Sequence, residues 1–105
     1  MEPLSRITPA TIDVLSCLLD ASGATWGLEI IKSSTRPAGT VYPLLERLER
    51  LGWVESRWDD TDDRPGPRRR LYLLTADGAV AAREAVAAYR RRDTVRVARV
   101  SGVDA

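Results

Sequence analysis

The 105-residue sequence predicts a mainly α fold with a small β-hairpin, class α+β, on three observations. Apolar residues recur at helical spacing in three stretches ahead of Gly52. After Gly52 the period drops to two in two short runs, separated by a charged segment that contains Gly66 between Pro65 and Pro67. An alanine-rich stretch with helical spacing then closes the chain.

The first helix is predicted over residues 8–21. Thr8 is placed to cap it, and Pro9 suits the first helical position, where a missing N–H loses no partner. Ile7 and Ile12 fall at the two positions of a hydrophobic staple. Ile12, Val14, Leu15, Leu18 and Leu19 form the apolar stripe, and Gly23 marks the stop. A second helix is predicted over 25–34, capped by Thr25, with Trp26, Leu28, Ile30 and Ile31 as its apolar contacts. Residues 33–37 break it, because short polar side chains compete for backbone bonds and Pro37 disfavours helix at Arg36.

The third helix carries the clearest period, with Val41, Leu44, Leu45, Leu48 and Leu51 on one face and Gly52 as a left-handed cap. Its opposite face presents Arg36, Gly39, Thr40, Pro43, Arg47 and Arg50. An interior proline costs about 3 kcal/mol, so the helix is expected either to begin within a few residues of Pro43 or to bend there. Residues 53–58 and 68–74 are the predicted strands, joined by an extended tip over 59–67. Thr75 then caps a fourth helix, predicted over 76–93 with Asp77 near its positive end. Residues 94–105 alternate valine with arginine and are expected to fray.

A chain of this length buries only about 60–65% of the surface its unfolded form exposes. One unit is expected, with the three helices and the hairpin over 1–75 and the last helix and its tail over 76–105. Sixteen basic residues against fifteen acidic give a net charge of +1, so the total does not announce a nucleic-acid partner. The distribution says more: Asp59, Asp60, Asp62 and Asp63 are followed by Arg68, Arg69 and Arg70, with a further cluster at Arg90, Arg91 and Arg92. Arg90 to Arg92 are expected to form a solvated helix end, which suits the negative end of the dipole. Histidine is absent and Cys17 is the sole cysteine, which removes Cys/His zinc sites, internal disulfides and imidazole catalysis. No paired acid/base site, nucleophile elbow or phosphate loop can be assembled either. The chain is therefore expected not to be an enzyme and to need no cofactor or metal. No stretch approaches the roughly 18 apolar residues of a membrane span, and the first residues do not begin a secretory signal. A cytoplasmic protein without a membrane partner is expected.

Three helices followed by a hairpin form the winged helix-turn-helix arrangement, whose third helix enters the DNA major groove. Three segments resemble the bacterial PadR family of transcriptional regulators. They are Trp26-Gly27-Leu28-Glu29-Ile30, then Gly39-Thr40-Val41-Tyr42-Pro43-Leu44-Leu45, then Arg70-Leu71-Tyr72-Leu73-Leu74-Thr75 with Gly78. The second segment is similar to the family's recognition helix, and the likeness covers roughly residues 7–92. Trp26, Leu28 and Leu73 depart from the family's usual residues, and the short C-terminus fits the subfamily with a single C-terminal helix. The resemblance implies a dimeric, repressor-like DNA binder whose last helix supplies much of the dimer contact.

Thr40, Tyr42 and Arg47 are the leading candidates for reading DNA. A hydroxyl near a helix N-terminus bonds a phosphate or base edge, and arginine reads guanine or clamps phosphate. The alternatives are that Thr40 caps the helix, that Arg47 pairs with Glu46 or Glu49, and that Tyr42 packs. Gly39, Pro43 and Arg50 share the outward face, with Arg36 at its start. Lys32, Ser33 and Ser34 end the second helix near the expected backbone crossing. In the wing, Arg64, Arg68, Arg69 and Arg70 are candidates for phosphate or minor-groove contact. Alternation puts Arg69 on one face and Arg68 and Arg70 on the other, with pairing to the nearby aspartates as the alternative. Those aspartates repel phosphate, so the tip is expected to turn away from DNA or to present Arg64 alone.

Ala79, Ala82, Val86 and Tyr89 form a shallow apolar face suited to another helix, and they are the predicted dimer contacts. Trp26, Trp53 and Trp58 suit an effector pocket in principle, but core packing is the favoured reading. Cys17 is expected to be a buried small hydrophobe.

The expected function is a homodimeric regulator, a repressor, on a pseudo-palindromic double-stranded DNA operator, with a small-molecule effector left open. The alternative is a winged-helix protein–protein interaction module with little DNA affinity, which the near-neutral charge and acidic wing favour.

Overall fold

The computed structural model describes residues 1–59 and 65–101. The predicted tip residues Asp60, Asp62, Asp63 and Arg64 lie outside the described residues, and so do the last four of the tail. Four helices and three strands follow in the order α1 (Pro9–Asp20), β1 (Thr25–Trp26), α2 (Gly27–Ser34), α3 (Ala38–Arg50), β2 (Val54–Trp58), β3 (Arg70–Leu74) and α4 (Ala76–Ser101).

Local chemistry sets most of these boundaries. Thr8 caps α1, its Oγ1 accepting the backbone N–H of Thr11 at 3.2 Å, and Pro9 opens the helix as the sequence predicts. Thr35 ends α2 in the left-handed region (φ 57°), and Pro37 then serves as N-cap of α3. Pro43 falls in the second turn of α3. The helix therefore begins within a few residues of it, and the N–H that proline lacks would have bonded the carbonyl of Gly39 in the first turn. Thr75 caps α4 and ties it to the wing: Gly78 N–H donates to its Oγ1 at 2.9 Å, and that hydroxyl donates to the Gly52 carbonyl at 2.9 Å. Gly78 must be glycine here, because a Cβ would sit 2.0 Å from the Trp53 carbonyl oxygen.

The structure corrects three expectations. Thr25 does not cap α2; it joins Trp26 in the short strand β1, and α2 starts at Gly27 with no side-chain cap. Two residues are too few to show a period, so only their pairing with β3 reveals them (Thr25↔Tyr72, Trp26↔Leu71). The sheet consequently has three antiparallel strands in the order β1-β3-β2 instead of the two of a simple hairpin. The third correction concerns the tail, where α4 continues through the valine–arginine stretch to Ser101. No proline or glycine interrupts it before Gly102, and Arg96 pairs with Asp93 at 2.5 Å on the helix surface.

The core lies where α1, α2, α3 and α4 meet the sheet, and Val14, Leu15, Val41, Leu45, Leu48 and Ala82 are fully buried in it. Trp53 belongs to this core and donates from Nε1 to the Glu2 carbonyl at 2.6 Å, which pins the N-terminal residues against it. The apolar stripes of α1 and α3 thus face inward, which leaves the other side of α3 to solvent. No helix among the described residues is long and apolar enough to cross a membrane.

Candidate nucleic-acid interface

The outward side of α3 exposes Gly39, Tyr42, Pro43, Glu46 and Arg50, while Thr40 and Arg47 lie half-buried on its flanks. Thr40 does not cap α3, since Pro37 holds the N-cap position. Tyr42 is 46% exposed, so it is not a core residue. Its ring lies across the start of α2, where a Cβ on Gly27 would fall 2.5 Å from Tyr42 Cε1. Glycine at 27 is what allows the N-terminal part of α3 to approach α2 so closely.

Two predicted contacts are occupied inside the protomer. Ser34 is buried, and its Oγ accepts the Arg36 backbone N–H at 3.2 Å and donates to the Ile31 carbonyl at 3.5 Å. Arg36 donates from Nε to Asp13 at 2.9 Å, with a second guanidinium nitrogen at the same distance, and so ties α1 to the turn before α3. Lys32 and Ser33 remain exposed at the end of α2.

The wing places its arginines as alternation requires. Arg69 stacks on Trp26 with Cζ 3.6 Å from the ring centroid. Arg68 and Arg70 lie on the other face, 5.8 and 5.1 Å from the centroid of Trp58, the residue opposite Arg70 in the β2–β3 register. Arg70 also approaches Glu49 of α3 at 3.7 Å, and Ser56 donates a hydrogen bond to the same carboxylate oxygen. Trp58 is 50% exposed, so core packing holds for Trp53 and not for Trp58. A cleft of about 410 Å³ lies between the wing and α3, lined among others by Trp26, Tyr42, Trp58 and the arginines at 68–70.

Sequence reasoning missed the role of Trp26 and Trp58 as aromatic supports. The signal for Trp58 was its pairing with Arg70, which becomes visible only when the strands are set in register. For Trp26 the signal was the β1–β3 pair.

The family model for the PadR-like transcriptional regulators matches residues 14–84, which include most of α1, all of α2 and α3, the wing strands β2 and β3, and the start of α4. The chain belongs to that family. A comparison with curated proteins returns no match. Among solved structures, this PadR-like chain is similar to BpsR of Bordetella bronchiseptica, whose DNA binding is regulated by 6-hydroxynicotinic acid. They share 27% identity and a TM-score of 0.70, over 97% of this chain and 80% of that one. It is similar also to a PadR family regulator of Clostridium difficile, at 26% identity and a TM-score of 0.66, over 84% of this chain and 94% of that one. The PcaV regulator of Streptomyces coelicolor shares the fold with a TM-score of 0.74 at 23% identity, over 90% of this chain and 63% of that one. This PadR-like chain is a winged-helix DNA-binding transcriptional regulator.

Among the described residues, two titratable groups depart from their usual values. Burial pushes the Cys17 thiol up, with Asp13 and Asp20 adding to the effect. Burial also raises the Tyr72 phenol, against the opposing pull of Arg70. Cys17 is half-buried beside the α1–α2 cleft and belongs to the rim of the core, close to the buried role expected of it.

Proposed function

We propose that the protein is a homodimeric repressor, with α3 of each protomer in the major groove of one operator half-site and the wing on the flanking backbone. The observation that carries this reading is the shared cleft: Tyr42 of α3 and the arginines of the wing border one surface, so one duplex meets both. Thr40, Arg47 and Arg50 would flank or enter the groove. Gly39 and Pro43 allow close approach there, and Lys32 and Ser33 meet the backbone. Arg68 and Arg69 of the wing contact phosphate, and Arg70 contributes through its pairing with α3. Arg36 and Ser34 act indirectly, by fixing the turn between α2 and α3.

We place the dimer contact farther along α4 than the face of Ala79, Ala82, Val86 and Tyr89. Ala82 and Val86 are buried in the protomer's own core, and Tyr89 packs against that core. Tyr89 is also the last residue of α4 to do so, and beyond it Val95 and Val97 stand exposed. We assign the dimer contact to this C-terminal half of α4, with two-fold symmetry giving a pseudo-palindromic operator. The likeness to BpsR supports control by a small-molecule effector, acting through the angle between the two α3 helices.

The test is a footprint on the duplex upstream of the protein's own coding sequence, with the chain and with T40A and R47A. Protection of two half-sites about one helical turn apart, lost in both variants, is the expected result. Uniform protection without half-sites, unchanged in T40A and R47A, would overturn it.

A further inference from the structure

We propose that Trp26 is a positioning residue for DNA binding, holding Arg69 as a preset phosphate clamp on the wing. This rests on the DNA-binding reading above and names a residue that reading does not use.

Trp26 does little for the core. It is half-buried, yet it is not among the side chains packed against the core cluster. What it does contact is Arg69, at 3.6 Å, a separation that puts the guanidinium face against the indole. Both backbones that set this stack are pinned. Trp26 is paired with Leu71 in the sheet, and the Arg69 carbonyl accepts the Asp59 N–H at 2.7 Å. Among the described residues no carboxylate pairs with Arg69. Arg70, by contrast, is shared with Glu49 and lies farther from its aromatic neighbour.

A guanidinium stacked by its face keeps its donors along the edge of its plane, in the fork that matches two phosphate oxygens. A free arginine must give up many rotamers to make such a contact; one already held against a ring gives up fewer. The stack opens on the cleft shared with Tyr42, which is where a phosphate beside α3 would pass. The ligand class is thus a DNA backbone phosphate, bound without regard to sequence, and the tryptophan acts only through the arginine.

The test is a double-mutant cycle on the full chain, using a duplex that the wild-type chain selects from a randomised pool, titrated with salt. R69A is expected to lower the salt slope by about one contact. W26A is expected to weaken binding about three- to tenfold while leaving the slope unchanged, because no charge is lost. In the R69A background, W26A should change affinity less than about twofold. W26F should restore most of the loss, and R69K should behave like W26A, keeping charge but not the stacked plane. R69K leaves the tryptophan in place, so it decides the matter even where W26A unfolds. An equal W26A penalty with and without Arg69, or wild-type affinity in both W26A and R69K, overturns the proposal. If the wild-type chain itself shows no salt-sensitive binding, the DNA-binding reading fails and takes the clamp with it.

Discussion

Gly78 is the position where a single added carbon meets the hardest obstacle. Its missing Cβ lets α4 start against the Trp53 carbonyl, and because the obstacle is backbone, an added carbon would force one of the two segments to shift. Gly78→Ala is expected to cost about 3 kcal/mol through overpacking, read as a fall in the thermal midpoint. A midpoint within about a degree of wild type would contradict the close approach. Cys17 offers a test in pH. Its thiol is raised by burial, so the protonated form is favoured in the folded chain and its contribution is full below the unfolded pKa. That contribution is lost as pH climbs through the folded value, so the stability difference between wild type and C17A should shift against wild type only on the alkaline side. Iodoacetamide should accordingly label Cys17 more slowly in the folded chain than in urea at the same alkaline pH. The site was partly legible at this scale. Arg69 and its face were readable from alternation, whereas Ser34 and Arg36 looked like free polar side chains. Ser34 bonds locally to Ile31 and Arg36, but its burial and the pairing of Arg36 with Asp13 of α1 come from tertiary packing, which a helical wheel does not contain.

Among the elements, α3 was the most legible, because its stripe of Val41, Leu44, Leu45 and Leu48 has one period and one buried face. Leu45 is completely buried, so Leu45→Ala is expected to destabilise by about 2–5 kcal/mol through the lost contacts and the cavity left behind. Chemical denaturation measures it, and a loss below about 1 kcal/mol would put α3 elsewhere in the fold. Thr75→Ala removes both the α4 cap and the bond to Gly52, for an expected loss of about 1 kcal/mol or somewhat more. The illegible elements fail for physical reasons. β1 is too short to carry a pattern and exists because β3 offers it an edge. The end of α4 alternates at period two, yet alternation decides between strand and helix only where a sheet is at hand to pair with. Beyond Tyr89 no strand among the described residues is at hand to pair with, and arginine and alanine favour the helix.

As a whole the molecule is elongated, 61 × 28 × 24 Å, because α4 alone runs about 39 Å and outlasts the body it packs on. A helix that leaves its own core with Val95 and Val97 exposed meets water unless another surface covers it. On the reading proposed here that surface is a second copy. Val95→Asp is expected to shift the chain from dimer to monomer in sedimentation equilibrium while leaving its circular dichroism helical; an unchanged dimer would move the contact elsewhere.

DNA recognition is the central claim, and it has a direct electrostatic signature despite a net charge of +1. Each arginine or lysine that meets a phosphate releases counterions, so affinity falls with salt in proportion to the number of contacts. The decisive measurement is the salt-titrated affinity for the duplex upstream of the protein's own coding sequence, set against a scrambled duplex of equal length. The account predicts tighter binding to the native duplex, two protomers per site, and a steep fall in affinity with salt on both. Equal, weak and salt-insensitive binding to the two would contradict it and favour a winged helix that binds another protein.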